Sequence, residues 1–113
     1  MPETHNLILH ICTKEAWQEA QTGMEYCPPS LEEFGFIHFS RPEQVLDVAN
    51  ALFRGKTNLL LLWVDPQKVE AEIRWEASGG EQYPHLYGPL NLEAVLAVQD
   101  FVPNGDGIFK DLV

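Results

Sequence analysis

Six consecutive apolar residues, Leu59 to Val64, constrain the fold more than any other feature of this sequence. The run is far shorter than the roughly 20 apolar residues of a membrane-spanning helix, and Pro66 follows its end. An uninterrupted apolar run of this length, closed by a turn signal, is typical of a strand buried on both faces. The sequence therefore predicts a central strand over 58–65, against which the rest of the chain must pack.

The remaining pattern predicts an α+β domain that spans 1–113. Helices are expected over 14–21 behind a Thr13 cap, as a short turn after the capping box at Ser30, and over Arg41–Arg54 behind a second capping box at Ser40. Strand-like and helix-like segments alternate irregularly, which favours mixed or antiparallel sheets with about six strands and two or three helices. The further strands are expected at 6–12, 36–39, 69–76, 85–90 and 95–102.

Charge and cysteine content narrow the possible partners. The chain carries 17 acidic and 7 basic residues, for a net charge of −10, so it repels nucleic acid and anionic membrane surfaces. Its two cysteines do not make a disulfide framework, and the N-terminus lacks the basic region of a signal peptide. These features predict a cytoplasmic protein with free thiols, for which nucleic acid and membranes are poor partners.

Three of the four histidines lie in strand-like apolar runs, each two residues from a side chain that would share its face. The first is His10, beside Cys12. A neighbouring imidazole can lower the pKa of a thiol and make it a nucleophile. The alternative, which we favour, is a buried histidine with an inert, buried cysteine.

His38 lies two residues from Ser40, and His85 two residues from Tyr87. A histidine within an apolar strand needs a hydrogen-bond partner, and His38 could find one in the core or in a ligand bound near the predicted helix N-terminus at Ser40. Prolines and glycine fix the backbone around His85 and Tyr87, which favours an aromatic binding loop over a purely structural one. The strand before this loop carries Glu76, and Glu81 follows the turn; either could supply a carboxylate.

The same residues carry a family resemblance. The segments LHI at 9–11, GFIHFS at 35–40, LLLWVD at 60–65 and PHLYGPL at 84–90 resemble the bacterial DUF952 family over nearly the whole chain. The resemblance implies a fold similar to the ADP-ribosyltransferase-like superfamily, whose members bind NAD or an ADP-ribosylated intermediate between two small sheets. The motif His38-Phe39-Ser40 is also similar to the His-hydrophobic-Ser motif of RNA 2′-phosphotransferases.

The resemblance implies a site in which His10, His38, Ser40, His85 and Tyr87 bind NAD, ADP-ribose or a related nucleotide. Transferases of this class use a late glutamate. No glutamate here matches that motif, so Glu76 and Glu81 are only candidates for catalysis. No metal is expected in this interpretation, which includes ADP-ribosyl or phosphoryl transfer as possible reactions.

Two alternatives remain open. The first is a non-catalytic interaction or sensor domain that keeps the fold. The second is a metal-dependent hydrolase that uses His10, His38 and His85 as ligands. All three interpretations expect these histidines to converge on one open cleft.

Overall fold

A computed structural model describes residues 6–112 of the chain, and this part contains eight strands and three α-helices. Short 3-10 turns cover Pro66–Lys68 and Leu92–Ala94. Every strand pair is antiparallel, which confirms the α+β prediction. In chain order the elements are β1 Ile8–Thr13, α1 Lys14–Ala20, β2 Glu25–Tyr26, α2 Pro29–Phe34, β3 Ile37–His38, α3 Val45–Leu52, β4 Leu59–Val64, β5 Glu72–Ser78, β6 Glu81–Tyr87, β7 Leu90–Asn91 and β8 Val95–Phe101.

The predicted central strand is the middle strand of the first sheet, whose order is β1-β4-β8. Alternate residues of β4 enter two different core clusters: Leu60 and Leu62 pack with Phe39 and Leu86, while Leu61 packs with Val45 of α3. Both faces of the sheet are therefore covered. This explains why the run is apolar at every position rather than at every second one.

The second sheet has the order β3-β6-β5 and carries three of the predicted site residues, His38, His85 and Tyr87. Its β5–β6 hairpin turns through Gly79 and Gly80, which have φ angles of 59° and 88°. Two successive residues with positive φ are what a tight hairpin turn requires. The register that follows pairs Arg74 with His85 and places His85 opposite His38 of β3.

An isolated backbone bridge between Leu9 and Ser40 connects the first and second sheets, and β2 pairs with β7 as a separate two-stranded sheet. The amide of each residue donates to the carbonyl of the other at 2.8 Å. Because Ser40 belongs to this bridge, the predicted helix over Arg41–Arg54 is wrong at its start. Helix α3 begins at Val45, after a turn in which the Gln44 side chain accepts from the Arg41 amide at 3.0 Å.

The predicted helix boundaries are otherwise a mixture of correct and wrong assignments. The Thr13 hydroxyl accepts from the Ala16 amide at 3.1 Å, which confirms that cap, and Gly35 ends α2 with a φ of 84°. The capping box at Ser30 is wrong, because Pro28 occupies the cap position of α2 and makes no side-chain cap. The predicted count of about six strands is also low, because β2 and β7, which are two residues long and pair with each other, leave no periodic pattern.

The three helices are all short. Among residues 6–112, no helix has the length and apolar character needed to cross a membrane.

Candidate functional site

One face of the second sheet gathers aromatic, histidine and charged side chains. In an antiparallel pair, residues that are directly opposite each other project from the same face. The register of β3, β6 and β5 therefore places His38, His85, Tyr83 and Tyr87 on one face together with residues of β5. We call this the histidine face, and its members are Phe36, His38, Glu72, Arg74, Glu76, Tyr83, His85 and Tyr87.

A hydrogen-bond relay runs along this face from Glu76 through His85 to His38. The Glu76 carboxylate lies 2.8 Å from Nδ1 of His85, and Nε2 of His85 lies 3.2 Å from Nδ1 of His38. A carboxylate only accepts, so His85 carries its proton on Nδ1 and leaves Nε2 as the acceptor. Nδ1 of His38 must then be the donor in the second bond. Neutral His38 therefore keeps its lone pair on Nε2.

The free nitrogen of His38 is the open end of the relay. His38 is half-buried, and among residues 6–112 its Nε2 has no hydrogen-bond partner and remains in contact with solvent. Burial lowers the pKa of His38, and the neighbouring His85 lowers it further. The ring is therefore neutral at physiological pH and can accept a proton or a hydrogen bond at this position.

Tyr87 supports the carboxylate end of the relay. Its hydroxyl donates to the same Glu76 oxygen that accepts from His85. The bonds from Tyr87 and His85 both favour the ionised form of Glu76 and lower its pKa, while the bond to Glu76 raises the pKa of Tyr87. Glu76 is thus an anion that fixes the orientation of His85.

Aromatic rings surround the two histidines. Phe36 stacks on His85, with ring centroids 4.1 Å apart and planes 12° from parallel, and Tyr83 lies 5.4 Å from His38. The Arg74 guanidinium lies 4.4 Å from the centre of the Tyr87 ring and also pairs with Glu72 at 3.1 Å. The face thus offers a base, flat apolar surfaces and one cation.

His10 approaches the second sheet from the opposite side. Its Nδ1 lies 2.7 Å from the backbone carbonyl of His38, so it must carry the proton, and its Nε2 accepts from the Tyr26 hydroxyl at 2.8 Å. Both nitrogens are therefore used within the protein. The ring packs 5.3 Å from Phe39 in the core, and burial lowers the pKa of His10 to about 4.

Cys12 follows the same pattern as His10. It belongs to the core cluster, and burial raises the pKa of its thiol to about 12. A thiol that is neutral at physiological pH is a poor nucleophile. The buried, inert interpretation of the His10–Cys12 pair is thus the one that the geometry favours.

The structure brings together some of the predicted site residues and separates others. His38, His85, Tyr87 and Glu76 converge on the histidine face. Ser40 is 2% exposed and held in the Leu9 bridge. Glu81 lies beside the Gln44 amide, which donates to it at 3.1 Å, and 3.7 Å from Arg41.

The residues do not form a metal centre of the predicted kind. His10 has both nitrogens occupied, and His38 and His85 are bonded to each other. Within the described part of the chain, no group of three or more histidine, cysteine or carboxylate side chains is arranged to hold a metal ion. The geometry therefore does not support the metal-dependent hydrolase.

A concave region on the protein surface lies away from the histidine face. It has a volume of about 790 Å³ and is bordered by α1, β2 and α2, with Tyr26 among its lining residues. None of His38, His85, Glu76 and Tyr87 lines it. The Tyr26–His10 hydrogen bond, which continues to the His38 carbonyl, connects this region to the back of the histidine face.

Sequence reasoning missed Phe36, Tyr83 and Arg74 as members of the histidine face. The period of two was visible in Tyr83, His85 and Tyr87, and again in Glu72, Arg74 and Glu76. If the segments that carry these two triplets form one hairpin that turns at Gly79-Gly80, the triplets must lie side by side. By itself the alternation of β5 is typical of a strand with one solvated face and does not reveal this pairing.

The family model described as "Protein of unknown function (DUF952)" matches residues 11–98. The chain belongs to the DUF952 family. The match includes β3, β5 and β6, so the whole histidine face lies within the DUF952 region. None of the curated proteins compared with the chain matches it.

Solved structures of a second protein have the same fold. The crystal structure of CC0527 from Caulobacter crescentus is 35% identical, with 92% of this chain and 93% of that chain covered and a TM-score of 0.85. The solution NMR structure of the same protein is 34% identical, covers 93% and 92%, and gives a TM-score of 0.81. This DUF952 chain is thus similar to CC0527 over nearly its full length.

Proposed function

We propose that the histidine face binds a small nucleotide of the NAD or ADP-ribose class, and that His38 acts on it as a proton acceptor. The observation that carries the proposal is the relay from Glu76 through His85 to the free Nε2 of His38. A relay of this form fixes the tautomer of a histidine and supports the imidazolium that forms when it takes a proton.

The surroundings of His38 fit the parts of such a ligand. Tyr83 and Phe36 provide flat surfaces for a base or a nicotinamide ring. Nε2 of neutral His38 can accept from a ribose hydroxyl. Arg74 lies next to the relay and, once released from Glu72, can pair with a phosphate through its planar group.

The resemblance of His38-Phe39-Ser40 to the motif of the RNA 2′-phosphotransferases supports the same ligand class. The proposal gives Ser40 a backbone role, since its amide and carbonyl hold the two sheets together behind His38. His10 likewise positions the His38 backbone rather than touching the ligand. The protein's net charge of −10 makes one local cation, Arg74, especially important for an anionic ligand.

Titration with ADP-ribose and NAD, followed by NMR of the imidazole groups, tests the proposal. We expect the signals of His38 and His85 to move in a saturable way while those of buried His10 stay constant. Constant signals from His38 and His85 at millimolar ligand would contradict the proposal.

A pair of arginine variants sharpens this test. Arg74→Gln should weaken ADP-ribose binding about tenfold, the loss expected for one charge-assisted phosphate contact. Arg54→Gln removes the same charge from an exposed position after α3 and serves as the matched control. Equal affinity of the two variants would exclude Arg74 from the site.

A second candidate is a non-catalytic binding or sensor domain, which the state of Glu76 favours. This carboxylate already accepts from His85 and Tyr87 and is therefore committed to orienting them. The two functions differ in turnover. Release of nicotinamide from NAD, abolished in His38→Gln, indicates catalysis, whereas saturable binding without product indicates the sensor.

A further inference from the structure

The concave region bordered by α1, β2 and α2 has the size and the floor of a small-molecule site. Its volume of about 790 Å³ lies within the roughly 300–1,000 Å³ that is usual for such sites. The floor is apolar, since Tyr26 is buried, Leu31 is half-buried, and Ala16 and Ala20 of α1 lie beside them. Two consecutive prolines, which restrict the backbone, form part of the wall. The shape of the region is therefore set by helices and by a stiff segment of chain.

Acidic side chains from three different elements surround this floor. They are Glu19 of α1, Glu25 of β2 and Glu32 of α2. All three are exposed at the rim, and among residues 6–112 none of them forms an ion pair. No lysine, arginine or histidine is among the described residues that line the region. The rim therefore carries three negative charges that the described protein does not neutralise.

Two further features make the region electronegative. The C-terminal end of α1 lies there, and its last turn contains Glu19 and no basic residue, so the negative end of the helix dipole is not compensated. Cys27 also lines the region, and the pKa of its thiol is raised by desolvation and further by the charge of Glu25. The net charge of the chain, −10, adds to the same potential. The region therefore repels anions and attracts cations.

We propose that this concave region binds an aliphatic polyamine, a ligand whose ammonium groups are separated by methylene segments. The ammonium groups pair with the carboxylates of the rim, while the methylene segments cover Leu31 and the ring of Tyr26. A metal cation would neutralise the rim but leave the apolar floor in water. A neutral apolar ligand would cover the floor but leave the carboxylates unpaired. A ligand that carries both charge and methylene groups fits both parts of the region.

The hydrogen bond from Tyr26 to His10 gives the site a local reporter. The Tyr26 hydroxyl donates to Nε2 of His10 at 2.8 Å, so a ligand that packs on Tyr26 should move the NMR signals of the His10 ring. The signals of His38 and His85, which project from the other side of the second sheet, should stay constant. ADP-ribose on the histidine face should give the reverse pattern. The two proposals therefore succeed or fail separately.

Calorimetric titration with spermidine in about 150 mM salt tests the proposal, because charges more than about 8 Å apart are largely screened under these conditions. Glu25→Gln and Glu32→Gln should each weaken spermidine binding about threefold to fivefold, the effect of one exposed ion pair, and the double variant about tenfold. Asp47→Asn removes the same charge from the exposed side of α3, which does not border the region. This matched control should leave the affinity unchanged.

Two partial ligands test whether charge and apolar contact are both required. Magnesium ion carries only the charge, and 1,8-octanediol carries only the methylene segment. Neither should move the His10 signals at the concentration at which spermidine saturates them. Four results would overturn the proposal: the absence of saturable spermidine binding, equal affinity of Glu25→Gln and Asp47→Asn, constant His10 signals, or magnesium binding as tight as that of spermidine.

Discussion

His10 and His38 are in hydrogen-bonding contact, yet they have opposite environments. His10 reaches the His38 carbonyl from the core and uses both ring nitrogens inside the protein. His38 projects from the other side of β3, shares one nitrogen with His85 and leaves the second exposed to solvent. A histidine in an apolar strand therefore becomes structural or functional according to which side of the sheet its side chain occupies.

Removal of each imidazole ring in turn should give the largest difference in stability between the two histidines. His10→Ala should lower the free energy of unfolding by about 4 kcal/mol, because it leaves a cavity and strands the Tyr26 hydroxyl and the His38 carbonyl. His38→Ala should cost about 1 kcal/mol, since its partners can bond to water. Urea denaturation measures both values. Similar losses in the two variants would contradict the assigned roles.

The next largest expected effect is a loss of stability at acidic pH. Burial lowers the pKa of His10 from 6.5 to about 4, so the unfolded chain takes up this proton first as the pH falls. The stabilisation is complete above pH 6.5 and is lost progressively as the pH falls from 6.5 to about 4. The maximum loss from this group is about 3 kcal/mol.

His10→Gln isolates this contribution, because glutamine does not titrate. The difference in unfolding free energy between the wild type and His10→Gln should shrink as the pH falls from 6.5 to about 4. Denaturation at several pH values measures it. Parallel curves for the two proteins would show that His10 is not the group responsible.

Replacement of Tyr26, which bonds to His10, and of Tyr87, which bonds to Glu76, should reduce stability by smaller and unequal amounts. Tyr26→Phe leaves Nε2 of His10 without a donor in the core and should cost about 2 kcal/mol. Tyr87→Phe removes a bond to Glu76, a half-exposed carboxylate that water can reach, and should cost less than about 1 kcal/mol. Thermal denaturation of this matched pair measures the difference, and the reverse order would contradict the assignment of the two faces.

The sequence alone predicts the strands and helix ends that depend on residues close together in the chain. The apolar run at Leu59–Val64 predicts the buried central strand, and the Thr13 cap correctly predicts the start of α1. The start of α3 was not predictable in this way. The Gln44 side chain accepts from the Arg41 amide and donates to Glu81 and to the Gln82 carbonyl. The last two contacts join residues 37 and 38 positions apart.

The sequence predicts which residues of one strand share a face in the candidate site, but not how the strands pair. Alternation places His85 and Tyr87 on one face, and both lie on the histidine face together with His38. The pairing of His38 with His85 depends on the β3–β6 register, which joins residues 47 positions apart and has no local signal in the sequence. The expected single cleft for all three histidines was therefore half right: two of them meet, while His10 supports them from the core.

The tautomer of His38 shows directly whether the relay from Glu76 through His85 exists. Long-range proton–nitrogen NMR at about pH 8, above the ordinary pKa of histidine, distinguishes a ring protonated on Nδ1 from one protonated on Nε2. The relay predicts that His38 is protonated on Nδ1, with Nε2 free, and that Glu76→Ala shifts it toward the other form. A His38 protonated on Nε2 in the wild type, or a tautomer unchanged by Glu76→Ala, would contradict the account.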